Sequence, residues 1–401
     1  MAEPLRLALL MHSVLPRGGV VHTLALAEAL HARGHAVTVI APVEPGQSLF
    51  RTPRCALRLL PLPTPQGSLL EQVRQRIAGL AQALPAALAA GRFDLLHAQD
   101  SLNGNALATL QPAAPPLPLW VRTVHHLDDF ASPELQAWQA RGWQAAAAIG
   151  CVSALWCERF EREFGRRAER LYNGVDLARY TPTRCVDDAR QLAAAGLADD
   201  GAPLCLAIGG VEARKNSVRL LEAFARLRGS DPAWARARLV VAGGASLLDH
   251  SAEHRRWHEA LAALGWREGP DQPVWRCGPL PDAAIAPLLR RAWLLAMPSL
   301  VEGFGLAAIE ALACGTPVLV SRRAPFTEHL AGCAHVAWCD PEDVASIALG
   351  LRTAAALPRA QVPPPVCGAH GWARSAAGHE AWYRRVLSGH ALLPIHEPLH
   401  C

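Results

Sequence analysis

Apolar and polar positions follow two recurring rhythms along this chain. Short apolar runs occur at 5–11 and 36–41. Between them, Val20, Leu24, Ala27 and Leu30 recur at helical spacing within 20–33. Arg17-Gly18-Gly19 reads as a turn before that helix and Gly34 as its stop. Strand, helix and strand in this order predict a βαβ unit with parallel strands and a right-handed crossover. Further strand-like runs fall at 57–62, 95–98, 119–124, 148–152 and 170–172. The spacing predicts a helix over 69–84 that stops or kinks at Pro85, since proline lacks an N–H and clashes with the preceding turn.

A second series begins after Asn173-Gly174-Val175-Asp176. Runs at 204–208, 239–242, 274–277, 294–297 and 317–320 read as strands, with helices between them such as 217–228. The polar, proline-bearing stretch 176–202 separates the two series. The chain is therefore expected to be α/β, with two doubly wound, Rossmann-like domains at 1–175 and 176–371. Pro363-Pro364-Pro365 reads as a short linker and 372–387 as a final helix, while the tail 388–401 has no clear pattern. Ligands of open α/β sheets sit beyond the carboxyl ends of the strands. Two such domains facing each other predict a site in the cleft between them.

Composition narrows the choice of function. The 401 residues are 51% apolar and 18% charged, enough for a sizeable core and too apolar for disorder. A formal charge of +4, from 39 basic and 35 acidic residues, is too balanced to announce a nucleic-acid binder. No apolar run reaches the roughly 18 to 20 residues of a membrane span. The opening Met1-Ala2-Glu3-Pro4 lacks the charged start of a secretory signal, so a cytoplasmic location with reduced thiols is expected. The 11 Cys and 17 His include no CxxC and no HExxH, which argues against structural zinc or a redox motif. Lys215 is the sole lysine among the 39 basic residues. It is either a chance survivor of a drift toward arginine or a position that needs a compact ammonium.

Two loops carry candidate chemistry. The first is Ser299-Leu300-Val301-Glu302-Gly303-Phe304-Gly305, followed by a helix from about Leu306. Gly303 and Gly305 permit close backbone approach, and the helix start offers unpaired N–H groups to an anion. Glu302 precedes the helix, and Glu310 lies roughly 6 Å along its axis at 1.5 Å per residue. A phosphate at the amides with a hydroxyl-binding carboxylate on each side suits a sugar–diphosphate–ribose molecule. The second loop is Gly209-Gly210-Val211-Glu212-Ala213-Arg214-Lys215-Asn216, again between strand and helix. There Arg214 offers a fork for two phosphate oxygens and Lys215 a point charge. Gly-rich capping and a solvated basic loop are the plainer readings of each loop alone.

The spacing Glu302-x7-Glu310, within Ser-x-x-Glu-Gly-Phe-Gly-Leu-x-x-x-Glu-Ala-x-Ala-x-Gly-x-Pro-Val, resembles the signature of the retaining glycosyltransferases of family 4, which have the GT-B fold. Glu212-Ala213-Arg214-Lys215-Asn216 is similar to that family's Glu-Pro-Arg-Lys-Asn loop, with Ala213 replacing proline. Other members carry an Arg directly after the loop's first glycine. Gly210 stands there, so Arg214 must do that work. Gly18-Gly19 resembles the family's N-terminal glycine loop, and 173–176 its domain junction. The segment 372–390 resembles its last helix, which crosses back to the first domain.

The resemblance implies roles. Arg214 and Lys215 hold the donor diphosphate and stabilise the leaving nucleoside diphosphate. Glu310 binds ribose hydroxyls and Glu302 the donor sugar. Gly18, Gly19, Gly303, Phe304, Gly305 and Leu306 complete the donor site. A histidine after the fourth strand of the first domain is implied to orient the donor sugar. Here Thr123-Val124-His125-His126 offers two, and the family spacing points to His125, with His126 as the alternative. Asp100 and His12 are weaker candidates for the acceptor side. No metal and no cofactor is expected, because fixed cations balance the leaving charge. The expected reaction moves a sugar from a nucleotide diphosphate sugar to an acceptor, which is a glycan, a lipid-linked molecule or a small molecule. Nucleic acid is not an expected partner, and peripheral membrane contact stays open. The rival readings are a pyridoxal-phosphate phosphorylase, a sugar-nucleotide epimerase of similar fold and a non-catalytic nucleotide-sugar binder.

Overall fold

The computed structural model describes residues 3–112, 116–197, 200–244 and 250–389. The expected unpatterned tail lies outside them from 390 onward, as does the end of the 372–390 segment. The chain divides into two units, residues 1–172 with 372–401 and residues 173–371.

The first unit runs β1 (Arg6–Leu10), α1 (Gly18–Ala32), β2 (Ala36–Val43), β3 (Ala56–Pro61), α2 (Leu69–Ala89), β4 (Leu95–Ala98), α3 (Ser101–Leu110), β5 (Trp120–Val124), α4 (Pro133–Gln144), β6 (Ala148–Cys151), α5 (Ala154–Phe164) and β7 (Glu169–Arg170). The second runs α6 (Asp188–Ala194), β8 (Leu204–Ile208), α7 (Ser217–Ser230), β9 (Arg238–Ala242), α8 (Ser251–Ala263), β10 (Val274–Gly278), α9 (Asp282–Arg291), β11 (Leu294–Met297), α10 (Leu306–Ala313), β12 (Val318–Ser321), α11 (Phe326–His329), β13 (Val336–Cys339), α12 (Val344–Ala356) and α13 (Pro365–Ala369). The last helix, α14 (Trp372–Leu387), returns to the first unit.

The described strands form two parallel sheets, ordered β3-β2-β1-β4-β5-β6-β7 and β10-β9-β8-β11-β12-β13. Strand β1 shows why such strands read as continuous apolar runs. Leu7 and Leu9 face the cluster containing Leu24 of α1 and Trp382, Tyr383 and Val386 of α14. Ala8 and Leu10 face the cluster containing Leu80 and Leu84 of α2 and Leu107 of α3. Both faces are covered, so no position is left for a polar side chain. Each fully buried Leu contributes about 2 kcal/mol, and the aromatic pair on α14 anchors that helix to its sheet. In the second unit Leu220, Phe224, Trp257 and Ile347 of α7, α8 and α12 pack on Leu239, Val241 and Leu294.

Four local expectations need correction. Helix α2 continues through Pro85 to Ala89. Pro85 is exposed, and buried Leu84, Ala87 and Leu88 hold the last turn to the core despite the lost bond. Gly18 and Gly19 are the first turn of α1 and not a separate turn. Pro365 opens α13, where its missing N–H would have had no helical partner, so the proline run is only partly a linker. Strand β13 was not expected.

Candidate functional site

In the six-stranded sheet the strand order reverses between β8 and β11. The loops leaving their carboxyl ends flank the crevice that such a switch point opens. They are the two loops singled out in the sequence. Gly209 follows β8 with φ +127, which glycine adopts without strain, and a Cβ there would approach Lys215 Cε to 3.3 Å. Asn216 ends the loop in the left-handed region, φ +61, and is 3% exposed. Its side-chain amide donates to the carbonyls of Pro298 at 2.9 Å and Pro341 at 2.6 Å. The Leu300 N–H donates to the Arg214 carbonyl at 2.8 Å. The two loops are thus bonded to one another.

Their charges interlock. Lys215 Nζ donates to Glu302 Oε1, and the Ser299 hydroxyl donates to the same oxygen at 3.0 Å. Arg214 lies 2.8 Å from Glu212 and 4.0 Å from Glu302. The acid side chains are only 6–8% exposed, whereas Lys215 and Arg214 are 17% and 27% exposed. An incoming polyanion therefore meets the cations before the carboxylates beneath them. Burial pushes the Glu302 pKa up, but Lys215 and Arg214 override it and hold the group below the usual carboxylate range.

Gly305 caps α10 at φ +85 and, having no side chain, gives the helix start no capping bond of its own. A Cβ at Gly305 would lie 2.3 Å from the Phe326 ring, so the turn needs glycine for both its angle and its space. The first amides of α10 are left for an anion. The Phe304 ring is 3% exposed and stacks on His329 at 4.5 Å. That ring packs beneath the turn, so a contact of Phe304 with a donor falls to its backbone. Gly303 is buried within the turn, and Leu306 is half-buried as the first residue of α10. Glu310 sits in α10 beside Tyr180, which hydrogen-bonds to it, and near Arg179. Burial outweighs the opposing Arg179 charge and pushes the Glu310 pKa up to about 7.

In the seven-stranded sheet the reversal falls between β1 and β4. Here the groups are mostly neutral. His125 Nε2 lies 3.2 Å from Gln99 Oε1, and its ring meets His22 edge-on at 4.7 Å. A Cβ added at Gly19 would lie 3.7 Å from His125 Cδ2, so the start of α1 borders this histidine. Burial, and then the charges of Arg122 and neighbouring histidines, push the His125 pKa well down and keep the ring neutral. His126 instead lies 3.5 Å from Asp128 with a third of its side chain exposed. The doublet thus points one ring into the unit and one outward. Asp100 caps α3, accepting from the Asn103 N–H at 2.8 Å, with His12 at 3.7 Å. Its carboxylate is occupied by fold-holding bonds, which is a structural account of a residue considered for the acceptor side.

Among the described residues no group of three or more His, Cys, Asp or Glu could hold a metal ion. No described helix is long and apolar enough to cross a membrane.

Residues 16–179 match the family described as Glycosyltransferase Family 4, and residues 188–361 match Glycosyl transferases group 1. The chain belongs to glycosyltransferase family 4. Among curated relatives, D-inositol 3-phosphate glycosyltransferase of Segniliparus rotundus is 33% identical over 55% of this chain and 48% of its own length. The enzyme of that name from Salinispora arenicola is 33% identical over 61% of this chain and 56% of its own. The chain spans about half the length of these relatives. Among solved structures, sucrose-phosphate synthase of Thermosynechococcus elongatus has a TM-score of 0.73 at 22% identity, covering 96% of this chain and 100% of that one. HepE of Anabaena, solved with UDP and glucose, has a TM-score of 0.67 at 17% identity, covering 94% and 98%. The fold of this family 4 chain is GT-B, with two Rossmann-like units.

Sequence reasoning missed Tyr180 and Arg179, the neighbours of Glu310, and Gln99, the partner of His125. Arg179 and Tyr180 stand just after the 173–176 junction motif. Nothing in their own spacing pairs them with a residue 130 positions later.

Proposed function

We propose that this family 4 glycosyltransferase moves a sugar from a nucleotide diphosphate sugar to an acceptor hydroxyl, with retained anomeric configuration and without a metal ion. The carrying observation is the pair Arg214 and Lys215 lying above buried Glu302 at the switch point of the second unit. Breaking the bond from the anomeric carbon to the diphosphate leaves negative charge on phosphate oxygen. Two preplaced cations and the open amides of α10 stabilise that charge without reorganising. The acceptor oxygen then bonds to the anomeric carbon, and its proton passes to the departing phosphate oxygen on the same face of the sugar. Glu310 accepts from the ribose diol, Glu302 from sugar hydroxyls, and neutral His125 is the group of the first unit assigned to the reaction.

The UDP and glucose named for HepE support a nucleotide-sugar donor, and the name of the curated relatives makes an inositol phosphate the first acceptor to try. The test incubates the protein with UDP-, GDP- and ADP-sugars, an acceptor panel and excess EDTA. Nucleoside diphosphate release with a product of unchanged anomeric configuration is expected. An inverted product, or activity that requires added metal, overturns the mechanism. Binding without any transfer or hydrolysis favours a nucleotide-sugar sensor.

A further inference from the structure

Four arginines converge on an open pocket of about 340 Å³ in the second unit, lined by Arg184, Arg290, Arg291, Arg359 and Trp293. Pro203 leads into β8 and Trp293 into β11, so the pocket lies at the amino ends of those strands. In a parallel sheet that is the edge opposite the donor loops.

Two of the four cations are balanced. Arg290 grips both oxygens of Asp188 at 2.7 and 2.6 Å. Arg291 donates to the Ala202 carbonyl at 2.7 Å and lies 3.7 Å from Asp200. The other two are not. Arg359 donates to the Ala292 carbonyl at 2.5 Å, the Arg290 carbonyl at 2.8 Å and the Thr316 hydroxyl at 2.8 Å, all neutral acceptors. Arg184 is exposed and forms no salt bridge among the described residues; its charge reaches only Asp188, which Arg290 already holds. Burial, and then the Arg184 charge, push the Arg359 pKa down, so the two guanidiniums repel. Arg359 and Arg184 are both exposed, and two like charges facing one pocket repel at a cost that an anion between them removes. Arg359 is also fixed by its three hydrogen bonds, which spares an incoming ligand the entropy of ordering it. The pocket has the size of a small-molecule site, too small for a macromolecular face.

We propose that this pocket binds a small phosphorylated anion, its phosphate oxygens between Arg184 and Arg359, with the Trp293 side left for an organic part. Forked guanidiniums suit phosphate oxygens in pairs.

Calorimetry in phosphate-free buffer tests this, with inorganic pyrophosphate and glucose 6-phosphate as probes. The full chain is compared with Lys215→Ala, Arg184→Ser and Arg359→Gln. Pyrophosphate binding that survives Lys215→Ala and weakens about tenfold or more in Arg184→Ser and Arg359→Gln is expected, the loss of one charge-assisted contact. Glucose 6-phosphate binding more tightly than pyrophosphate assigns the pocket to phosphate esters, and the reverse order assigns it to inorganic anions. Binding lost in Lys215→Ala and untouched by Arg184→Ser overturns the proposal, as does no binding at all. Arg184 is exposed and makes no side-chain hydrogen bond among the described residues, so its variant keeps the test valid even where Arg359→Gln unfolds.

Discussion

Glu302 and Glu310 share one turn and helix, are 7% and 8% exposed, and are driven in opposite directions. Burial pushes both carboxyl groups toward the neutral form. Glu302 has two cations against it and stays ionised, whereas Glu310 has one opposing charge, a tyrosine hydroxyl and the repulsion of Asp282, and holds its proton up to about 7. Depth of burial therefore does not set the charge of a carboxylate here, and the placement of partners does. The contrast suits two tasks: a carboxylate kept ionised beside the diphosphate cations, where it accepts from sugar hydroxyls, and a hydroxyl-binding group able to ionise when a ribose diol arrives.

Removing the partner should produce the largest effect. Lys215→Ala is expected to lower kcat/KM by about 10²-fold, the worth of one preplaced charge at the leaving group. It should also destabilise the fold by about 3 kcal/mol, since buried Glu302 loses its nearest cation and the remaining one, Arg214, stands at 4.0 Å. Steady-state kinetics and urea melts read the two effects, and unchanged kinetics would remove Lys215 from the site.

Distorting the turn between the two carboxylates comes next. Gly305→Ala forces a Cβ at φ +85 into the Phe326 ring. A loss of about 3 kcal/mol in urea unfolding is expected, and a loss below about 1 kcal/mol would show that the turn relaxes freely.

The pH dependence sharpens the comparison further. A ribose diol donates to an ionised carboxylate, so nucleotide affinity should rise about tenfold between pH 6 and 8 as Glu310 loses its proton near 7. Glu310→Gln should flatten that rise. Stability runs the other way. The folded pKa lies above the ordinary 4.5, so the folded state binds more protons in that window. Stability then falls by about 3 kcal/mol as pH climbs from 4.5 past 7. Glu310→Gln should abolish this slope, and an unchanged slope would place the titration elsewhere.

The smallest effect separates the histidine doublet. His125→Ala should lower kcat/KM several-fold, in the range of about 1 kcal/mol for one neutral hydrogen bond. His126→Ala, at a half-buried contact 3.5 Å from Asp128, should stay within about twofold. Equal losses would erase the distinction drawn from the two ring directions.

Much of this was legible in the residues. Strands 204–208 and 294–297 stand where their apolar runs put them, because strands covered on both faces leave no polar interruption, and 95–98 does so despite His97, whose ring finds buried partners in Thr123 and Tyr383. The loops 209–216 and 298–305 announced themselves through glycines, charge and the Glu-x7-Glu spacing. Other features escaped. Helix α2 passes Pro85 because buried residues after it outweigh one lost bond, which a local rule does not weigh. The Phe304 ring packs beneath its turn, which local spacing does not show, since its stacking partner His329 lies on a later helix.

By itself, then, the sequence determined the kind of chain this is: its alternating elements, its two βα series and the residue types in its phosphate-suited loops. These depend on neighbours a few positions away, where period and backbone chemistry act. Only the tertiary structure decided that Lys215 bonds Glu302, that Tyr180 faces Glu310 and that His125 turns inward while His126 turns out. Each of these is a charge or proton state set by a partner far away in sequence. Coulomb energy and desolvation depend on distance in space, and spacing along the chain does not carry it.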